Sequence, residues 1–335
     1  ALAYGLHLLW NGVFSEAPVW LTTALEDFER IQGPQGIRTL QTLRNLAEAH
    51  RLQGDVELAR REYQEAIDRS DGDLDPRAAA HAWNGLGLVA LDLGDAVAAR
   101  TAFERAEEYC RMGVGPDSEL TARTLGNLGD TLALRGDYER AIELYSEVGR
   151  IYATALGPDA SDVHSAEIAV ARLHRKQGDL ADSAEHLDRV ITRLESAVEP
   201  DESYLVQALT ELARVRAVQG QWSECSAAAT RATELAVDVY GPESPQAGPA
   251  LAERAWAQLQ LGDLDAARRD ALRTEFIGQE HLGDRIRWLP ERTALAWVRQ
   301  RPTGLAVLVD VSVESGLERD AIEVFETVAR TRGRV

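Results

Sequence analysis

Seven glycines recur at an almost constant spacing along this chain of 335 residues. They are Gly12, Gly54, Gly94, Gly136, Gly178, Gly220 and Gly262, and successive members lie 42, 40, 42, 42, 42 and 42 residues apart. Self-similarity at a fixed period of this length is the signature of a repeat architecture, in which each repeat packs against its neighbours. The chain is therefore predicted to be a continuous array of repeats and not a domain with one central core.

A small residue lies seven positions before and five positions after each of these glycines. The earlier set is Gly5, Ala47, Gly87, Gly129, Ala171, Ala213 and Ala255, and the later set is Ala17, Ala59, Ala99, Ala141, Ser183, Cys225 and Ala267. Minimal side chains on both sides of a glycine turn are what two antiparallel helices need where their backbones approach closely. Because apolar residues follow helical spacing around these positions, each repeat is predicted to be a hairpin of two amphipathic helices.

The residues around the third glycine resemble the tetratricopeptide repeat, a family with a characteristic order of large, small and aromatic residues. Trp83, Leu86-Gly87, the turn Gly94-Asp95, Ala99 and Phe103 occupy its set places. The connectors are further similar to the long-repeat subtype of kinesin light chains and many bacterial regulators: Val114-Gly115-Pro116-Asp117, Leu156-Gly157-Pro158-Asp159 and Tyr240-Gly241-Pro242-Glu243. The resemblance implies an all-α fold, a right-handed α-solenoid of tandem helical hairpins.

The regular period ends after Gly262. The next comparable turn, Gly316, lies 54 residues on, so we expect an inserted helix around Pro290 and then a last hairpin, Leu305 to Val313 and Arg319 to Arg330. The predicted organisation is a seven-hairpin array over residues 1–283, its first hairpin truncated at the start, followed by an irregular helical cap over residues 284–335. We expect this cap to be the junction to a missing downstream domain.

Residues of the predicted cap resemble the junction that precedes the protease domain in bacterial CHAT-domain proteins, which are caspase-like and separase-like enzymes with N-terminal tetratricopeptide repeats. The similar segments are Glu280-His281, Leu289-Pro290-Glu291-Arg292, Ala294-Leu295-Ala296, Arg301-Pro302 and Val328 to Gly333. The resemblance implies that the catalytic histidine and cysteine lie beyond Val335 and that this chain is the regulatory region. A stand-alone adaptor and the sensor region of a bacterial signalling ATPase or transcriptional regulator are the alternatives.

Charge and motif content narrow the classes of function. The 36 basic and 55 acidic residues give a net charge of -19, which argues against nucleic acid or an anionic membrane as a partner. The seven histidines lack the spacing of a metal site or of a catalytic pair with Cys110 or Cys225, so no catalytic residue, metal or cofactor is predicted. The two cysteines lie in different repeats, which favours reduced thiols and a cytoplasmic protein.

In the resembled fold the first helix of each hairpin lines the binding groove, at positions ten, nine, six, three and two before the turn glycine. The candidate residues there are Arg44, Asn45, Arg51, Asn84, Asn127, Arg172, Arg175 and Arg214, with Trp256 as an apolar anchor. Guanidinium forks suit carboxylates, and amides suit a peptide backbone. We expect Arg172, Arg175 and Arg214 to cluster, and the groove to bind a protein or peptide with acidic groups; a downstream CHAT-type protease domain is the other expected partner.

Overall fold

The computed structural model describes residues 1–70, 75–286 and 304–315, and these residues form tandem helical hairpins without strands. The helices are α1 Leu2–Trp10, α2 Ala17–Gln32, α3 Ile37–Gln53, α4 Val56–Arg69, α5 Pro76–Asp92, α6 Ala96–Tyr109, α7 Glu119–Leu134, α8 Tyr138–Leu156, α9 Ser161–Gln177, α10 Leu180–Ser196, α11 Glu202–Val218, α12 Trp222–Tyr240, α13 Ala247–Gln260, α14 Leu264–Ile286 and α15 Leu305–Ser315. A short π-helix, Cys110–Val114, continues α6. The predicted all-α hairpin fold is confirmed.

Each of the seven repeat glycines lies at the turn of a hairpin, between α1 and α2 and so on to α13 and α14. All seven have positive φ, from 73° at Gly12 to 101° at Gly178. In the third hairpin the N–H of Gly94 donates to the Leu91 carbonyl and the N–H of Asp95 to the Ala90 carbonyl, both at 2.8 Å. This Schellman motif satisfies the last carbonyls of the helix and requires a residue with a left-handed backbone conformation. Glycine adopts that conformation without steric strain, which explains why it recurs at every hairpin turn.

The small residues of the repeat lie where the helices of each hairpin approach most closely. Every member of the later set, from Ala17 to Ala267, is 0% exposed. In the earlier set, a Cβ built on Gly87 would lie 2.4 Å from Cε1 of Phe103, which is itself fully buried. The predicted role of these positions in hairpin packing is therefore confirmed.

The chain divides into two compact units, residues 1–166 and 167–335, and the division falls within α9. A core cluster of the first unit joins α3, α4 and α5 through residues such as Leu43 and Tyr63. A core cluster of the second unit joins α9, α10 and α11 through residues such as Leu187 and Leu209. The boundary after residue 283 that the sequence indicates stays a prediction.

The start of the predicted last hairpin is present as α15. Val307, Leu308 and Val311 of this helix are buried in a cluster with residues of α13 and α14. Most of the predicted inserted helix and the predicted helix over 319–330 lie outside the described residues. Among the helices of the described ranges, none is both long and apolar enough to cross a bilayer.

Candidate functional site

The first helices of the hairpins carry the predicted binding residues, and we call the surface that they form within each unit the first-helix face. In the second unit, Arg172 and Arg175 of α9 and Arg214 of α11 converge on the carboxylate of Glu211. Arg172 Nε lies 3.2 Å from Oε1, Arg175 Nη2 lies 3.5 Å from Oε2, and Arg214 Nη1 lies 2.6 Å from Oε1. The predicted clustering of these three arginines is therefore confirmed.

Glu211 is the centre of this arginine network and is only 3% exposed. Burial by itself would raise the pKa of the Glu211 carboxyl group, but attraction to Arg214, Arg172 and Arg175 outweighs burial, and the pKa is lowered. Arg214 also contacts Glu253, with 2.9 Å between Nε and Oε1. Three guanidinium groups thus face two carboxylates, so one positive charge of this set has no matching negative charge.

The two carboxylates were missed by the sequence analysis, although a signal for them exists. Glu211 lies nine positions before Gly220, and Glu253 lies nine positions before Gly262. Nine is one of the offsets expected to face the groove. The predicted site contains only basic, amide and aromatic residues, so its arginines were expected to be open to a ligand. Arg172, Arg175 and Arg214 are instead paired with carboxylates within the protein.

A cleft of about 250 Å³ opens beside the arginine network on the first-helix face. It is lined by Arg172, Ser203, Val206, Gln207, Thr210, Glu211, Arg214, Tyr240, Gln246 and Pro249. The lining combines guanidinium and amide donors with apolar walls, which is the composition of a site that binds a short stretch of peptide. Arg172, whose side chain is 44% exposed, is the arginine of this network most open to solvent.

In the first unit, Arg51 of α3 is neutralised by carboxylates of its own unit. Its Nε donates to Glu48 Oε2 at 2.8 Å, and its Nη1 donates to Asp92 Oδ2 at 2.8 Å. The hydroxyl of Tyr63 also donates to Glu48 Oε2, at 2.9 Å. These contacts join α3, α4 and α5, so the structure places Arg51 in a packing role.

The three predicted asparagines lie on first helices of the same unit. Asn127 of α7 donates through Nδ2 to Oδ1 of Asn84 of α5 at 3.0 Å, and Asn84 is 6% exposed. The side chain of Asn45 on α3 is half-buried. Asn84 and Asn127 therefore use part of their hydrogen-bonding capacity on each other, and their contact with a ligand stays a prediction.

Trp256 is half-buried against the cluster that joins α13, α14 and α15. The cluster includes Leu259 and Val311, which are 3% and 2% exposed. Packing therefore accounts for much of the indole surface. A ligand would meet only the exposed part of the ring, and the role of Trp256 as an apolar anchor stays a prediction.

Both cysteines are free and buried. Burial raises the pKa of the Cys225 thiol to about 12 and also raises the pKa of the Cys110 thiol. Cys110 Sγ lies 3.9 Å from Thr124 Oγ1, and Cys225 Sγ lies 3.9 Å from the Glu253 carbonyl oxygen. A buried thiol with a raised pKa is a poor nucleophile, so the chemistry of these sites is that of packing.

We expect neither thiol to react with iodoacetamide at neutral pH while the protein is folded, because only the thiolate attacks and both groups are buried and protonated. Mass spectrometry should show unmodified Cys110 and Cys225 in the native protein and two modified cysteines after denaturation. Labelling of either residue in the native state at the rate of the denatured chain would contradict this assignment.

Within the described ranges, one group of side chains could hold a cation, and it lies at the α9–α10 turn. One ligand atom from each of His174, Asp179 and Asp182 lies within 4.8 Å of the other two. Arg189 approaches Nδ1 of the neighbouring His186 to 3.0 Å, which opposes a further nitrogen ligand from that ring. This cluster is not among the predicted sites, because its histidine and its two aspartates come from opposite sides of the turn at Gly178.

Three sequence models, each described as tetratricopeptide repeat, match residues 1–71 and 78–154, residues 44–111, and residues 248–269. The chain therefore contains tetratricopeptide repeats. A comparison with curated proteins gives no significant match.

Solved structures share this fold at low sequence identity. The apo form of RapI has a TM-score of 0.65 at 10% identity and covers 99% of this chain and 96% of its own. BtubC (BKLC) from P. vanneervenii has a TM-score of 0.59 at 20% identity, covering 68% of this chain and 94% of its own. A putative kinesin light chain with TPR-like repeats, from Podosopora anserina, has a TM-score of 0.53 at 16% identity, covering 59% and 95%. The fold is thus that of a tetratricopeptide-repeat scaffold.

Proposed function

We propose that this scaffold binds an acidic peptide segment of a partner protein on the first-helix face of its second unit. The observation that carries the proposal is the convergence of Arg172, Arg175 and Arg214 on the single buried carboxylate of Glu211. A chain of net charge -19 here concentrates guanidinium groups beside a cleft with amide donors and apolar walls. This local positive potential favours a ligand with carboxylates.

Binding would use the part of the network that its internal carboxylates do not saturate. Among the residues that the structure describes, Arg172 pairs with one carboxylate, that of Glu211, and its side chain is 44% exposed, so it can turn toward a ligand at small cost. Gln207 and Gln246 line the same cleft and can pair with a peptide backbone. The half-buried Pro249 offers apolar surface to the side chains between the acidic residues.

Arg172→Glu is expected to weaken binding of a fluorescent peptide rich in glutamate and leucine by about 1 to 3 kcal/mol, as for the loss of a charge-assisted hydrogen bond. Fluorescence anisotropy measures the affinity, and a peptide with glutamine in place of glutamate reports the contribution of the ligand charge. Circular dichroism and a melting curve verify the fold, and Arg172→Gln repeats the test without a new negative charge.

Arg60→Glu is the matched control, because Arg60 lies on α4, a second helix, and its 53% exposed side chain pairs with Glu57 at 2.9 Å. It changes the net charge of the chain by the same amount as Arg172→Glu. The peptide affinity should stay within about twofold of the wild-type value, because an exposed ion pair contributes little. Weaker binding by the Arg60 variant than by the Arg172 variant would place the peptide on another surface.

We further propose, from the similarity of residues 280–333 to the junction of CHAT-domain proteins, that a caspase-like domain follows this chain and is regulated by it. The gene sequence after Val335 tests this. A caspase-like domain with a histidine and a cysteine would support it, whereas a stop codon would favour the adaptor and an ATPase or DNA-binding domain would favour the sensor region.

A further inference from the structure

A second cleft, of about 640 Å³, lies on the first-helix face of the first unit. It is formed between α3 and α5 and is lined by Gln35, Ile37, Leu40, Gln41, Arg44, Asp75, Arg77, Ala78 and His81. The volume falls within the range of small-ligand sites. The lining contains two arginines, Arg44 and Arg77, and one carboxylate, Asp75. We call it the Arg44 cleft.

Arg44 differs from Arg51 and from the arginines around Glu211 because Glu48 and Asp75 attract its charge without forming an ion pair with it. Within the described residues no hydrogen bond or ion pair reaches its guanidinium group, whereas Arg51, two turns further along α3, contacts both Glu48 and Asp92. Burial is the main reason why the pKa of Arg44 is lowered from its usual value. A half-buried guanidinium that remains charged without a partner is unfavourable, and an anion would relieve it.

His81 of α5 adds a neutral donor to the same cleft. Burial and the nearby charges of Arg44, Arg123 and Arg77 lower the pKa of its imidazole to about 3. The ring is therefore uncharged at neutral pH and offers one N–H group. Arg44, Arg77 and Arg123 thus all lie near this imidazole in the first unit.

Asp75 is the acidic residue among the described residues that line the cleft, and its carboxylate serves the backbone. Oδ1 of Asp75 accepts a hydrogen bond from the N–H of Ala78 at 3.0 Å, which caps the first turn of α5. Exposed Arg77 follows two residues later, at the entrance of the cleft. Asp75 thus stabilises a helix end, and it attracts the guanidinium of Arg44 without forming an ion pair with it.

We propose that the Arg44 cleft is a binding site for an oxyanion, with the guanidinium fork of Arg44 and the N–H group of His81 as its inner donors and Arg77 at its entrance. The oxygens can be those of a peptide carboxylate or of a free phosphate group, since both match a planar fork of donors. This site lies in the first unit and does not depend on the arginine network of the second.

Arg44→Met and Arg51→Met make a matched pair, because both replace an arginine of α3 with an unbranched apolar side chain. Thermal melting is measured for the full chain in chloride and in inorganic phosphate at equal ionic strength. It is repeated with a glutamate-rich peptide and with its glutamine counterpart. A ligand that binds only the folded state raises the melting temperature.

The wild type is expected to melt higher with phosphate, with the glutamate peptide or with both. Arg44→Met should lose the increase with phosphate and the part of the peptide increase that arises at this cleft. Without anion it should melt no lower than the wild type, because it removes an unpaired charge. Arg51→Met should melt lower than the wild type but keep the increase. His81→Phe, which keeps a ring but lacks the N–H group, should weaken the anion affinity about tenfold.

The source of the oxyanion follows from which probe gives an increase that Arg44→Met loses: phosphate alone indicates a free phosphate, and the glutamate peptide alone indicates a peptide carboxylate. An equal increase in the wild type and Arg44→Met, or no increase in the wild type with either probe, would overturn the proposal. Arg172→Glu should leave the increase that depends on Arg44 intact, so failure here is distinguishable from failure of the second-unit peptide site.

Discussion

Replacing Gly87 with alanine is expected to destabilise the protein by about 1 to 3 kcal/mol, the usual cost of overpacking a well-filled core. The new Cβ would lie 2.4 Å from Cε1 and 2.6 Å from Cδ1 of Phe103. Phe103 is 0% exposed, so its ring cannot move aside into solvent. The two helices of the third hairpin would have to separate, and the cost exceeds the gain in helix propensity from alanine.

Gly126→Ala is the matched control, because Gly126 also lies inside a first helix but no atom lies within 4 Å of its added Cβ. Here we expect a stabilisation of about 0.5 to 1 kcal/mol, the helix-propensity difference between the two residues. Gly129, whose Cβ would lie 3.0 Å from Cε2 of the half-buried Tyr145, should fall between them. Urea midpoints of the three variants give the order. Equal midpoints for the Gly87 and Gly126 variants would show that close packing does not explain the small residues of the repeat.

Glu211→Gln is expected to lower the stability of the second unit by about 3 kcal/mol, because it leaves the buried ends of three arginines without their shared carboxylate. We take the lower end of the usual range since Arg172, with a side chain 44% exposed, can turn to water. Glu57→Gln is the control: Glu57 is 67% exposed and pairs with Arg60 on the surface at 2.9 Å. Hydrogen exchange of the α11 amides shows where stability is lost. Equal protection of these amides in the two variants would contradict the predicted role of Glu211.

The same carboxylate should make stability depend on pH. The arginines lower the pKa of Glu211 in the folded state below its unfolded value of about 4.3, so its contribution is complete above that value. It is lost as the pH falls through the folded pKa. Melting temperatures between neutral pH and pH about 3 should therefore fall more steeply for the wild type than for Glu211→Gln. Parallel curves for the two proteins would show that Glu211 has the same pKa in both states.

Glu211→Gln also links stability to the proposed binding. Removal of this carboxylate leaves Arg172, Arg175 and Arg214 with Glu253 alone, so the affinity for the glutamate-rich peptide should increase while the fold becomes weaker. A structural carboxylate and a ligand carboxylate compete for the same guanidinium groups. Opposite changes in affinity and stability are the signature of that competition.

The sequence by itself determined the seven hairpins, their glycine turns and the small residues between their helices. A single glycine such as Gly94 is a weak signal, but the same offsets recur in every repeat, and packing of two helices at close distance permits few alternatives. The first helix of the last hairpin, Leu305 to Val313, was also predictable, because its apolar spacing is local information. The formation of a helix and the packing of the two helices of one hairpin depend on residues that are near in sequence.

Only the tertiary structure decided which charges are free to bind. Arg51 contacts Asp92, Arg172 contacts Glu211 and Arg214 contacts Glu253, pairs that lie 41, 39 and 39 residues apart. Sequence offsets indicate which face of a helix a residue occupies, but pairing and burial depend on the side chain that the next hairpin presents. For that reason arginines at equivalent offsets have different roles here: those around Glu211 are held by carboxylates, and Arg44 is left facing an open cleft.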